Sequence, residues 1–238
     1  AQRVRHAVFF GDGVVRPGGA RDADRFDAVC DHVLVLDDTL PGAPEARIVG
    51  TYRLLPQDRL ASARDFYSSG EYAAPRLVAR NPDRRFLEVG RSCVLPAWRS
   101  KRTLELLWQG VWSYCRHTGH DVMVGCASFP GTDPARHRLA LSFLRHHARA
   151  TGIWAIRAVP GRRAPVDLLP PERIDARAAI AAMPPLIKGY LKLGARFGED
   201  CVIDHEFGSV DLFVVMPVEA MSPRFVAHFG ADAERFAA

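Results

Sequence analysis

Between Arg85 and Phe129 the chain passes from an apolar strand to an amphipathic helix and back to a second apolar strand, and this unit constrains the fold more than any other. Arg85 to Leu95 reads as a strand closed by Pro96, and Ser100 stands where a helix N-cap belongs. From Lys101 to Arg116 the residues Leu104, Leu107, Trp108, Val111, Trp112 and Cys115 recur at three- and four-residue spacing, the mark of a helix with one buried face. Gly119 ends that helix, and Val122 to Phe129 forms the next strand. Upstream, Val29–Leu36 and Arg47–Leu55 read as two strands joined through Asp37–Pro44, with Pro41-Gly42 supplying the reversal. Downstream, Asp133-Pro134 offers a cap and an N1 proline for a further helix. A helix over Pro185–Phe197 and strands around Cys201–Glu206 and Val210–Val218 follow. The expectation is an α/β fold (α+β mixed sheet) with helices on its faces.

At 238 residues the chain suits one large domain, which buries roughly 70% of the surface of its unfolded form. The stretch 151–183 is rich in arginine and proline and reads as an insert before the last two strands; 222–238 reads as a C-terminal helix. Arg3 to Phe10 is an apolar cluster, Asp65 to Tyr72 a short helix and loop, and the chain opens at Ala1 inside a structured segment. Five cysteines (Cys30, Cys93, Cys115, Cys126, Cys201) are widely spaced and odd in number, which suits buried thiols in a reducing compartment. No leader pattern and no bilayer-length apolar run occur, so a cytoplasmic protein is expected, with room for peripheral contact at the inner membrane face. The net charge of +5 favours acidic partners, but the basic residues are scattered and no zinc-finger or RNA-binding pattern appears, which argues against nucleic acid.

Three constellations carry chemistry. The strand Phe86-Leu87-Glu88-Val89-Gly90-Arg91-Ser92-Cys93-Val94 holds charges in its apolar middle, and an unpaired buried charge costs several kcal/mol. Pairing with neighbouring strands is one explanation and a reaction centre the other, with Gly90 pointing to a bulge or a close ligand. Trp98-Arg99-Ser100-Lys101-Arg102-Thr103 sets three basic side chains at a helix N-terminus, where they suit a phosphate or a solvated turn. Asp27 and Asp31, with Arg53, carry the charges that grip an ammonium and a carboxylate, and equally those of a structural ion-pair network. His32 and Asp37 have an HxxxxD spacing, but an offset of five along a strand puts them on opposite faces. Metal-ligand, catalytic-triad and nucleotide-loop spacings are absent, so no metal is expected.

The segments Phe26–His32, Val49–Leu55, Glu88–Val94, Leu107–Gly110, Gly125–Phe129 and Leu186–Leu191, in order along the chain, resemble the bacterial L-ornithine N-alpha-acyltransferases, hemolysin-like enzymes of the GNAT superfamily. The resemblance implies a GNAT sheet splayed around a pantetheine arm. It also implies transfer of a 3-hydroxyacyl chain from acyl carrier protein to the α-amine of L-ornithine, giving a lyso-ornithine lipid. Phosphopantetheine on the carrier, or acyl-CoA, serves as donor, with no permanently bound cofactor. Glu88, Arg91 and Ser92 are the implied catalytic group, with Glu88 as general base. Asp27, Asp31, Arg53 and Ser128 then orient the acceptor. Cys93, Val94 and Leu95 would offer backbone N–H groups to the thioester, and Arg99, Lys101 and Arg102 would hold the phosphate and face the acidic carrier. The pattern is also similar to acyl-homoserine lactone synthases; a different amine acceptor and a non-enzymatic binding module are the other readings. Gly11-Asp12-Gly13 departs from the glutamates usual in the family, and Ser100–Thr103 lacks the glycines of the general GNAT phosphate loop.

Overall fold

The computed structural model describes residues 1–11 and 20–221. Asp12 and Gly13, and the helix expected over 222–238, lie outside the described residues. Six strands form one mixed sheet: β1 (Asp31–Leu36), β2 (Ile48–Pro56), β3 (Phe86–Val94), β4 (Val122–Pro130), β5 (Arg196–Asp204) and β6 (Ser209–Pro217), in the spatial order β1-β2-β3-β4-β6-β5. All neighbours are antiparallel except β3 and β4. These two are joined by the helix α3 (Lys101–Thr118), so the β–α–β unit is the centre of the fold. Ser100 Oγ accepts the Thr103 N–H and Gly119 closes the far end at φ 68°, as expected of these caps.

Strand alternation gives the sheet two buried faces. On one, Leu54, Leu87, Val89, Met123, Ala127, Leu212 and Val214 pack under Leu107, Trp108, Val111 and Trp112 of α3. On the other, Leu55, Phe86, Val122, Val124, Phe213 and Val215 pack with Phe66, Tyr72 and Leu77.

Several elements differ from the sequence expectation. The N-terminal apolar cluster is a helix, α1 (Gln2–Phe9), and a short helix, α2 (Ala74–Ala79), follows the 3₁₀ turns at Ala63–Asp65 and Tyr67–Gly70. The helix expected over Pro185–Phe197 stops at Leu193, where Gly194 turns the chain at φ 97°, and β5 begins at Arg196. Within 151–183 the chain is largely irregular but ends in a helix, Ala176–Ala182, and buries Ala164, Ala179 and Met183 in the core. Two further helices, Arg138–His147 and Pro185–Leu193, cover the α3 side of the sheet. No helix among the described residues is long and apolar enough to cross a membrane.

Candidate active site

β3 and β4 pair at only three positions: Phe86 with Val122, Leu87 with Met123 and Glu88 with Val124. Beyond Glu88 the ladder ends, and an irregularity in each strand marks the point. Opposite Tyr52, β3 carries one residue too many, so Thr51 faces Cys93 while Arg53 faces Gly90. Arg91 takes up that bulge at φ 51°, the one non-glycine residue at positive φ among those described. On β4, Gly125 brings its backbone so close to β3 that an added Cβ would lie 2.1 Å from the Val89 carbonyl oxygen.

A cavity of about 380 Å³ fills the resulting gap. Arg53, Glu88 and Gly90 line it from the face shared with Leu55 and Val124, Cys126, Ser128, Ser209 and Asp211 continue that wall across β4 and β6, and Ser92, beyond the bulge, turns to the Tyr52 side. Tyr52, Val89 and Leu186 reach it from the α3 side, so the gap opens to both faces of the sheet. Phe9 of α1 and Phe207 of the β5–β6 turn meet edge to face at 5.6 Å over its mouth.

Glu88 sits at the vertex. It is 4% exposed and accepts the Tyr67 N–H at 2.7 Å and the Ser68 N–H at 2.9 Å. Burial raises its pKa above the ordinary carboxylate value, and the Ser68 and Tyr67 hydrogen bonds and the Arg53 charge only partly oppose this. Such a carboxylate is fixed in place and more basic than one in water. Arg53 donates to Asp24 at 2.7 Å. Arg91 reaches Asp22 at 3.2 Å and the Tyr67 hydroxyl at 3.1 Å, and lies over the Phe207 ring at 4.3 Å. Tyr52 shares a short hydrogen bond with the Tyr190 hydroxyl, and burial lifts the Tyr52 phenol to about 12 despite bonds from Tyr190 and Ser92.

Of the residues proposed from sequence, Arg53, Glu88, Arg91, Ser92 and Ser128 meet in this cavity. Others are placed elsewhere. Asp27 faces the buried Arg5 at 2.6 Å, with Arg53 at 3.7 Å. Asp31 pairs with Arg59 at 2.6 Å and accepts the Tyr114 hydroxyl at 2.7 Å, on the α3 side of β1. Both carboxylates are spent on structural arginines rather than aimed at an acceptor. The Leu95 N–H is committed to the Val49 carbonyl at 2.9 Å and so is unavailable to a thioester. Since N–H directions alternate along a strand, Val94 points its N–H away from β2, into the side from which β4 has diverged. Cys93 pairs back to Thr51, and burial pushes its thiol to about 12. Arg99 donates to the Val94 carbonyl at 3.2 Å, while Lys101 and Arg102 project into solvent from the first turn of α3. His32 joins the Arg5–Asp27 group and Asp37 accepts the Trp98 indole, so the two are unconnected.

Sequence reasoning passed over Tyr52, Tyr67, Cys126 and Asp211 as individual site residues. Asp211 was findable: it is a charge inside the apolar strand Val210–Val215, the same signal that singled out Glu88. Glu71, Cys126 and Asp211 bring their side-chain donor atoms within 4.8 Å of one another, with the Cys126 thiol donating to Glu71 at 3.8 Å.

Comparison with known proteins agrees with this geometry. An acetyltransferase (GNAT) domain family matches residues 4–109. The L-ornithine N(alpha)-acyltransferase of Brucella abortus (strain 2308) is 50% identical over 99% of this chain and 86% of its own length. That of Agrobacterium fabrum (strain C58) is 50% identical over 99% and 82%. The structure of a CoA-dependent acyl-homoserine lactone synthase, BjaI, with MTA shares the fold at a TM-score of 0.53, with 13% identity over 98% of this chain and 79% of that one. The splayed sheet, the carboxylate at its vertex and half of all residues shared along almost the whole length place this chain in the family of L-ornithine N(alpha)-acyltransferases.

Proposed function

We propose that the chain moves a 3-hydroxyacyl group from the phosphopantetheine thioester of acyl carrier protein to the α-amine of L-ornithine, forming a lyso-ornithine lipid. The observation that supports this most is Glu88: a buried carboxylate of raised basicity, oriented by two backbone N–H groups, at the one point where the sheet opens. An α-ammonium must lose a proton before its lone pair attacks a thioester carbonyl, and Glu88 takes that proton directly or through one water. The amine enters from the face of Arg53 and Gly90, and the thioester lies in the gap between β3 and β4. Arg53 and Arg91 present guanidinium groups to the α-carboxylate. The Val94 N–H offers a hydrogen bond to the pantetheine or the thioester carbonyl. Arg99, Lys101 and Arg102 meet the carrier's phosphate and acidic surface, a contact that salt weakens. Association of the enzyme with the inner face of the membrane, where its product partitions, belongs to the same reading.

The test is thiol release from 3-hydroxyacyl carrier protein in the presence of L-ornithine, with the product identified by mass. Glu88→Gln keeps the shape and removes the base, and it lowers turnover by roughly two to four orders of magnitude. In the wild type the acidic limb of kcat/KM lies above the ordinary carboxylate range, because Glu88 must be ionised and burial raises its pKa. A loss under about tenfold in the variant overturns the role given to Glu88.

A further inference from the structure

The cavity has two walls of opposite chemistry. On the β2–β3 side, Arg53 and Arg91 are answered by Asp24 and Asp22. On the β4–β6 side, Asp211 is 7% exposed, lines the cavity and has no ion-pair partner among the described residues. Its carboxylate accepts the Ser209 hydroxyl at 2.7 Å, with Ser128 directly across the ladder. Asp204, at the end of β5, lines the same wall. Burial raises the Asp211 pKa, and the Asp204 charge adds to the effect, while Ser209, Ser128 and Arg91 oppose it. Behind it, Glu71 is also raised, first by burial and then by Asp211 and Asp204, although Arg162 reaches it at 3.0 Å from outside.

Negative charge is therefore gathered in the interior of a chain whose net charge is +5, facing an opening, with Asp211 in direct ion pairing with none of the described residues. Structural carboxylates elsewhere in this protein are answered by arginines, as Asp27 is by Arg5 and Glu199 by both Arg145 and Arg157. A buried carboxylate left without a partner is costly unless a cation comes to it. The Cys126 thiol stands between the two carboxylates, Asp211 and Glu71, and donates to Glu71 at 3.8 Å.

We propose that Asp211 is the specificity-determining residue for the acceptor, and that it pairs with a second, distal ammonium of the amine substrate while the α-amine faces Glu88. The chemical class selected is a diamino acid, rather than an amino acid with an uncharged side chain. This rests on the acyl-transfer reading above, which concerns the α-amine alone and is silent on how the side chain is recognised. Asp204 and Glu71 reinforce the potential at that wall, and Ser128 and Ser209 hold the Asp211 carboxylate in position.

The experiment compares ornithine with norvaline, the same carbon skeleton without the distal amine, using the full chain and 3-hydroxyacyl carrier protein. In the wild type kcat/KM for ornithine exceeds that for norvaline by at least about 30-fold, the range for one desolvated charge partner. Asp211→Asn is close in shape and uncharged, and it brings the two values to within about threefold by lowering the ornithine value. Ornithine, and not norvaline, also raises the wild-type melting temperature, and Asp211→Asn abolishes that shift. A wild type that acylates both amines equally overturns the inference and leaves the transfer reading standing. A wild type that transfers to no amine overturns both. If Asp211→Asn depresses both substrates alike, the residue is structural and the inference fails. If zinc chloride alone stabilises the wild type, and ornithine does not, the wall belongs to a metal ion and the inference fails again.

Discussion

Arg5 shows how one residue can anchor a segment. It is fully buried, and its guanidinium reaches Asp22 Oδ2 at 2.8 Å, the Asp22 carbonyl at 2.6 Å, Asp27 at 2.6 Å and His32 Nε2 at 2.9 Å. It thereby ties α1, which roofs the cavity with Phe9, to the start of the sheet. Removing one partner of a buried pair leaves the other charge stranded, so Arg5→Met lowers stability by about 3–5 kcal/mol, measurable from urea denaturation midpoints. Asp27 adds a pH dependence of known sign. Burial would raise its pKa, but the Asp24 N–H, Arg5 and Arg53 outweigh burial and lower it. Its stabilisation is thus complete above the unfolded value of about 3.9 and is lost as pH falls through the lower folded value. Wild-type protein loses stability on acidification through that window, and Asp27→Asn removes this part of the loss, as acid titration of the melting temperature would show.

Among the elements, α3 carries the clearest conflict between local stability and use. Its first turn has no acidic residue and places Lys101 and Arg102 against the positive end of the helix dipole. If those charges serve the carrier, replacing Arg99, Lys101 and Arg102 with alanine lowers kcat/KM for carrier-bound donor and flattens its salt dependence. The melting temperature changes little, because relief of the helix dipole offsets the exposed Arg99–Val94 hydrogen bond and the Lys101–Glu105 pair that are lost; kinetics at two ionic strengths and a thermal melt decide it. This helix was legible because its apolar period is regular and both ends are capped. β5 was legible only in part. The sequence pattern starts the strand at about Cys201, five residues late; Glu199 and Asp200 are accommodated in it by Arg145, Arg157 and Arg163, which come from distant segments. The site divided the same way. Glu88 stood out as a charge within an apolar strand, whereas the partners that commit Asp27 and Asp31 to structure lie 22 residues away at Arg5 and 28 away at Arg59. Pattern can mark a charge as unusual, but only the tertiary fold says what answers it.

Across the whole molecule the sheet is two three-stranded halves, β1-β2-β3 and β4-β6-β5, touching at three residue pairs. Gly125 sets how closely they approach. Gly125→Ala would drive a methyl group into the Val89 carbonyl, so it either costs several kcal/mol or spreads the halves. The expected result is a lowered melting temperature with a disproportionate loss of transfer, read by comparing activity per folded molecule.

The placement of Glu88 at the last of those three pairs has a mechanical corollary. Two jaws joined at one short fulcrum move most at their tips and least where they meet. Rocking of one half-sheet against the other, were the proposed acyl donor to wedge into the gap, would displace the outer strands first. The carboxylate at the fulcrum would keep its position, so that the gap could yield to bulky cargo without misaiming the proposed base.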